Sequence, residues 1–226
     1  MKKLLIIVLL AFAAMLFFHY ALKPTSLSPQ QLSQLRLAQK ASQIVLVDVF
    51  ANKTTILSFF EKEHGQWVKR FSTKAYIGRK GLGKTWEGDG KTPVGVFHFT
   101  QAFGLLDNPG CAMNYVKVTD DHFWDGDAAS PTYNRLVLRK DLPPASQQQS
   151  EHLIEYPVQY AYALNISYNE EGHPNRGSAI FLHCMGPKPE TAGCVAIEEA
   201  MMRTLLQKVR TGCKVLIAPH AELQNW

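Results

Sequence analysis

The run from Ile180 to Ile197 places a histidine and a cysteine, His183 and Cys194, at two strand ends on either side of one short loop. A thiol attacks a carbonyl only as thiolate, so Cys194 needs a base, and His183 supplies one if the loop folds the cysteine back against it. Ala192 and Gly193, just before the cysteine, are small enough to let backbone amides turn toward a developing oxyanion. Losing such donors costs on the order of 100-fold in rate. Thr191 either positions this loop or donates to the substrate. The plainer alternative makes Cys194 a small buried hydrophobe opening a strand and His183 a hydrogen-bonded core histidine.

The arrangement resembles the catalytic segment of the L,D-transpeptidase (YkuD-type) family: a histidine after an apolar strand, a loop, then Ser/Thr-x-Gly-Cys. Here those elements are Ile180 to His183 and Thr191 to Cys194. A second segment, Gly88 to Phe97, is similar to the family's Gly-Lys-Thr-Pro-x-Gly-x-Phe run, and Trp124 followed by Tyr133, Asn134 and Arg135 is a weaker echo. The resemblance covers roughly residues 44 to 219. It implies a β-sandwich carrying the site at one end, with Cys194 as nucleophile, His183 as base, the Cys184 carbonyl orienting the imidazole, and neither cofactor nor metal. It also implies a substrate, the peptidoglycan stem peptide. Cys194 would attack the carbonyl of an L-centred third residue, such as a diamino acid, and expel the terminal D-alanine. An amine would then resolve the thioester into a 3-3 crosslink or an attachment to a wall-bound protein; water would make the enzyme an L,D-carboxypeptidase or amidase. A non-catalytic wall-binding protein of the same fold is the remaining alternative.

Two departures matter. Ala192 stands where many members carry a histidine, and Val195 and Ala196 follow the cysteine in place of a pair ending in Asn or Arg. A cation for the substrate carboxylate must come from elsewhere, and Arg176 and Arg135 are the candidates, each weighed against an ordinary solvated arginine. Lys91 to Gly95 is read as architectural, with Pro93 fixing a strand entry. Trp86, Trp124, Tyr160 and Tyr162 read as core aromatics before groove walls, and Asp120, Asp121 and His122 as a polar loop before a metal site.

Positioning these residues requires strands. Ile44 to Phe50, Thr54 to Phe60 and Gln66 to Phe71 are β-rich runs, with His64 and Gly65 as the turn of an antiparallel meander. Further strands are expected at 94–100, 136–139, 158–168, 179–183 and 213–218. One helix follows the cysteine: Ile197, Ala200, Met201, Leu205 and Val209 share an apolar face, and Glu198 and Glu199 sit where the helix dipole favours them. The expected fold is mainly β, an L,D-transpeptidase-like sandwich with one or two packed helices.

A chain of 226 residues, 46% of them hydrophobic, buries one substantial core. It divides into a signal peptide or membrane anchor over 1–22, a tether over 23–43 containing a short helix, and a catalytic domain over 44–226. Lys2 and Lys3 followed by fifteen apolar residues, Leu4 to Phe18, mark export to the periplasm or cell envelope. His19-Tyr20-Ala21 is a poor cleavage site, so removal and retention as an inner-membrane anchor through 4–22 both stand. Without Lys2 and Lys3 the charge is 22 basic against 19 acidic side chains, with no basic run interleaved with aromatics, which argues against nucleic acid. Four cysteines in an exported chain admit disulfides: Cys111 with Cys213 is one conceivable pair, and Cys184 with Cys194 would silence the enzyme.

Overall fold

The computed structural model describes residues 24–226; the signal or anchor expected over 1–22 lies outside them. The described chain opens with two short helices, α1 (Pro29–Ser33) and α2 (Arg36–Lys40). Ser28 starts α1 as a capping box, its hydroxyl accepting from the Gln31 amide while the Gln31 side chain accepts from the Ser28 amide. Leu32, Leu35 and Ala38 are buried against the sheet, so this stretch is docked on the domain along both helices.

The strands follow in order: β1 (Gln43–Val49), β2 (Thr55–Glu63), β3 (Gln66–Ala75), β4 (Gly95–Gly104), β5 (Tyr115–Lys117), β6 (His122–Trp124), β7 (Leu136–Leu138), β8 (Glu151–His152), β9 (Ala163–Ile166), β10 (Phe181–Cys184) and β11 (Val195–Ile197). Helix α3 (Glu199–Leu206) and strand β12 (Lys214–Pro219) complete the fold. The main sheet runs β11-β10-β9-β4-β12-β1-β2-β3, with β5 beside β4, and a smaller sheet runs β7-β6-β8. The expected meander is present. His64 and Gly65 both adopt positive φ at the β2–β3 turn, the conformation that suits the right-handed twist of paired strands.

Strand β4 bends the sheet on itself. Its first half pairs with β12 and its second with β9, with a register irregularity between Phe99 and Gln101. The far edges meet where Tyr76, just beyond β3, exchanges backbone hydrogen bonds of 2.9 and 2.8 Å with Ala196 in β11. The two halves enclose one core: Val45, Val47, Leu57 and Phe59 face Leu164, Ile166, Leu182, Val195 and Ile197, with Met202, Leu205 and Leu206 of α3. Ile44 and Leu46, on the other face of β1, pack under α1 and α2, and burial on both faces explains why β1 reads as an unbroken apolar run. A third cluster, with Phe103, Trp124, Tyr160, Phe181 and Cys194, lies beneath the small sheet on the outer face of β9 and β10.

The strand expected over 158–168 is shorter than that. Gln159–Ala161 forms a 3-10 turn, held by the Tyr160 amide on the Tyr156 carbonyl at 2.8 Å, and pairing starts only at Ala163. No helix of the described residues is long and apolar enough to cross a membrane.

Docking of the N-terminal helices is testable. Leu32 is fully buried, so Leu32→Ala is expected to cost about 2–5 kcal/mol of stability, measured by urea unfolding. An unchanged midpoint would mean that α1 does not pack on the domain in solution.

Candidate active site

Strands β10 and β11 run parallel, with Leu182 opposite Val195 and His183 opposite Ala196. Successive side chains of a strand leave opposite faces, so Phe181 and His183 share a face with Ala196 and, one step back, with Cys194. The complementary set, Leu182, Cys184, Val195 and Ile197, points into the main core. This parity brings the thiol and the imidazole to one side, where both line a cavity of about 520 Å³. His183 is 7% exposed and Cys194 9%.

The imidazole is fixed from behind. His183 Nδ1 lies 2.7 Å from the Cys184 carbonyl oxygen. A carbonyl only accepts, so Nδ1 carries the proton and Nε2 keeps the lone pair. The Tyr160 ring meets the imidazole edge-to-face at 5.8 Å. Burial lowers the His183 pKa to about 4, with the Cys184 carbonyl acting weakly in the other direction, so the ring is neutral at ordinary pH. Burial and then the charge of Glu151 push the Cys194 thiol up to about 12, opposed by the Phe181 amide and by Lys84. The sulfur accepts from that amide at 3.3 Å and donates to the Ala179 carbonyl at 3.1 Å. Among the described residues no hydrogen bond joins it to His183. Ala179 holds its carbonyl there in a left-handed conformation (φ 53°) that costs a residue with a Cβ about 1–2 kcal/mol.

The Cys194 backbone is clamped. The Cys194 carbonyl accepts from Thr191 Oγ1 at 2.7 Å and from Thr92 Oγ1 at 3.2 Å. Thr92, fully buried, also accepts from the Gly78 amide at 2.8 Å, and so ties the Lys-Thr-Pro segment directly to the cysteine. The Gly193 amide is occupied by Thr191 Oγ1 at 3.1 Å. In this arrangement the amide donates to the hydroxyl that shapes the turn rather than into the cavity. The Ala192 and Cys194 amides find no acceptor among the described residues. Gly193 itself is required by close approach, since a Cβ there would lie 2.9 Å from the Lys91 carbonyl oxygen. Asp89 anchors the same segment, accepting from the Thr85 and Lys91 amides and from Lys84 Nζ at 3.1 Å. Burial alone would raise its pKa; these donors outweigh it and bring it to about 2.

Thr191, Ala192 and Gly193 line the cavity, but the two candidate arginines do not. Arg176 borders a separate cavity with His98 and His173, and Arg135 is exposed, its carbonyl pairing with the Asp125 amide. The cations that line the cavity are instead Arg79, Lys84 and Lys188. Both arginines leave the region on loops whose direction depends on long-range packing. Trp124 and Tyr160 line the cavity while belonging to the core; Tyr162 faces the main core. Asn134 explains the Trp124 echo: its Oδ1 accepts from the Trp124 indole and from the Ala179 amide, both at 3.0 Å, and so sets the carbonyl that meets the thiol. Glu87 and Glu151 also line the cavity, and no local sequence pattern marks them. All four cysteines are free thiols, and Cys184 and Cys194 leave opposite faces of the sheet, which rules out the bond between them. Asp120 and Asp121 pair with Arg139, and no metal-holding group is found among the described residues.

The fold and site define a β-sandwich with a cysteine and a histidine on one face at its end. The chain belongs to the L,D-transpeptidase catalytic-domain family, YkuD, whose model matches residues 42–217. No curated protein matches it. Solved structures similar to it include Bd1075 of Bdellovibrio bacteriovorus, 18% identical with a TM-score of 0.44 over 82% of this chain and 52% of that one. The helical cell shape determining protein Pgp2 of Campylobacter jejuni is 17% identical with a TM-score of 0.43, over 79% and 48%. An L,D-transpeptidase of Enterococcus faecium is 13% identical with a TM-score of 0.40, over 80% and 51%. The chain spans about half the length of these structures.

Thr92→Val removes a donor to Cys194 and strands the Gly78 amide, which is expected to cost about 1–3 kcal/mol of stability and to lower the rate of Cys194 acylation. Thr92→Ser should recover most of both. Urea unfolding and acylation kinetics measure the two effects; a wild-type acylation rate in Thr92→Val would remove the threonine from the positioning of the nucleophile.

Proposed function

We propose that this chain is an exported cysteine acyltransferase that acts on peptidoglycan stem peptides. The observation that carries the reading is the shared face of β10 and β11: thiol, neutral imidazole and two unengaged backbone amides border one cavity. The positive start and the apolar run from Leu4 to Phe18 support export, with the segment either cleaved or kept as an anchor. In this mechanism a stem peptide enters with the carbonyl of its third residue over Cys194. His183 Nε2 takes the thiol proton as sulfur attacks, because a thiol at about 12 and an imidazole at about 4 do not exchange a proton beforehand. The Ala192 and Cys194 amides receive the oxyanion, and the imidazolium returns the proton to the leaving amine. The thioester then passes its acyl group to an amine.

Purified muropeptides test this directly. The wild type is expected to give 3-3 linked dimers, while Cys194→Ser and His183→Ala fold but lose turnover by 100-fold or more. Trimmed monomers alone, in the presence of abundant acceptor amine, would assign hydrolysis to the same site. No turnover, together with no mass adduct on Cys194 from a carbapenem-type β-lactam, would make the chain a wall-binding protein.

A further inference from the structure

Glu151 works against the acyl-transfer chemistry of the cavity. It stands on β8 opposite Trp124 and lines the space around Cys194. Its Oε2 accepts from the Tyr160 hydroxyl at 2.5 Å, and Tyr160 is itself 5% exposed. Oε1 has no hydrogen-bond partner among the described residues, and the residue lines the cavity. None of the ion pairs among the described residues includes Glu151. Nearby Glu87 is held in the same way, with Oε2 accepting from Tyr133 and Ser178 at 2.6 and 2.8 Å. Of the cations lining the cavity, Lys84 is committed to Asp89, and neither the Arg79 guanidinium nor the Lys188 ammonium pairs with Glu151 among the described residues.

Burial, and to a lesser extent the charge of Glu87, raise the Glu151 pKa against the Tyr160 hydrogen bond, and its ionised form also opposes a thiolate at Cys194. A substrate that brings a cation to this point removes both penalties. We propose that Glu151 is a specificity-determining residue that binds the side-chain primary ammonium of the stem peptide's diamino residue. The inference rests on the acyl-transfer reading and adds to it a preference for stems whose side-chain amine is free. Such a stem is not yet crosslinked through that amine.

Three stem peptides test it, differing only at that side chain: free amine, N-acetylated amine, and methyl in place of the amine. For the wild type, kcat/KM is expected to be about tenfold or more higher with the free amine than with the other two. Glu151→Gln keeps the hydrogen bond from Tyr160 and loses the charge, so the three peptides should become equivalent. In the same variant, without substrate, iodoacetamide should alkylate Cys194 faster than in the wild type, with an unchanged urea-unfolding midpoint separating lost charge from lost packing. Glu151→Asp, which retains the charge, should retain the preference. A wild type indifferent to acetylation, or a Glu151→Gln variant that still prefers the free amine, would overturn the proposal. Failure of the wild type on all three peptides would overturn the acyl-transfer reading, and this inference with it.

Discussion

The register between β10 and β11 is the constraint on which the rest of the molecule depends. Strand side chains alternate with a period of two, so a slip of one residue would send Cys194 into the main core and bring a Val195 side chain to the cavity. Three features outside the two strands hold that register: the Thr191 and Thr92 hydroxyls on the Cys194 carbonyl, the contact of Gly193 with the Lys91 carbonyl, and the paired hydrogen bonds between Tyr76 and Ala196. The last of these also closes the sheet. The sandwich and Cys194 are therefore secured by the same strand edge.

The second consequence is electrostatic. Placing thiol and imidazole together beneath the small sheet removes both from water, and desolvation favours the neutral form of each: the imidazole falls to about 4 and the thiol rises to about 12. An ion pair is not the resting state. The Nδ1 bond to the Cys184 carbonyl fixes the tautomer, which leaves Nε2 as the only basic nitrogen. Among the described residues, buried cationic charge near the loop is confined to Lys84, whose ammonium is balanced by Asp89. The cavity thus holds the Cys194 sulfur as a neutral thiol.

Much of this was legible in the residues, for reasons that also mark its limits. The long strands β1 to β4 and β12 carry enough consecutive β-branched and aromatic residues to show a pattern, and the Cys194–His183 spacing names two residues of one site. Strands β5, β6, β8 and β11 are two or three residues long and carry no periodicity; they exist because distant segments meet. Residues 23–43 read as a tether because two five-residue helices bury too few apolar positions to stand out, yet Leu32 is completely covered. Charge alone makes Arg135 and Arg176 candidates for the missing cation, while Glu87 and Glu151 carry no sequence signal. Their place at the thiol is set by Tyr133, Ser178 and Tyr160, which long-range pairing brings to them.

The pH profile of kcat/KM tests most directly the claim that a buried, neutral imidazole takes the thiol proton during attack. A base with its folded-state pKa at about 4 remains functional as pH falls and is lost only on passing through that value. The account predicts a rate constant that is level from neutrality down to about pH 5, halved near pH 4, and absent throughout in His183→Ala. An acid limb centred near 6.5, the ordinary value for a solvated histidine, would show that His183 is not held in this neutral, desolvated state and would contradict the account.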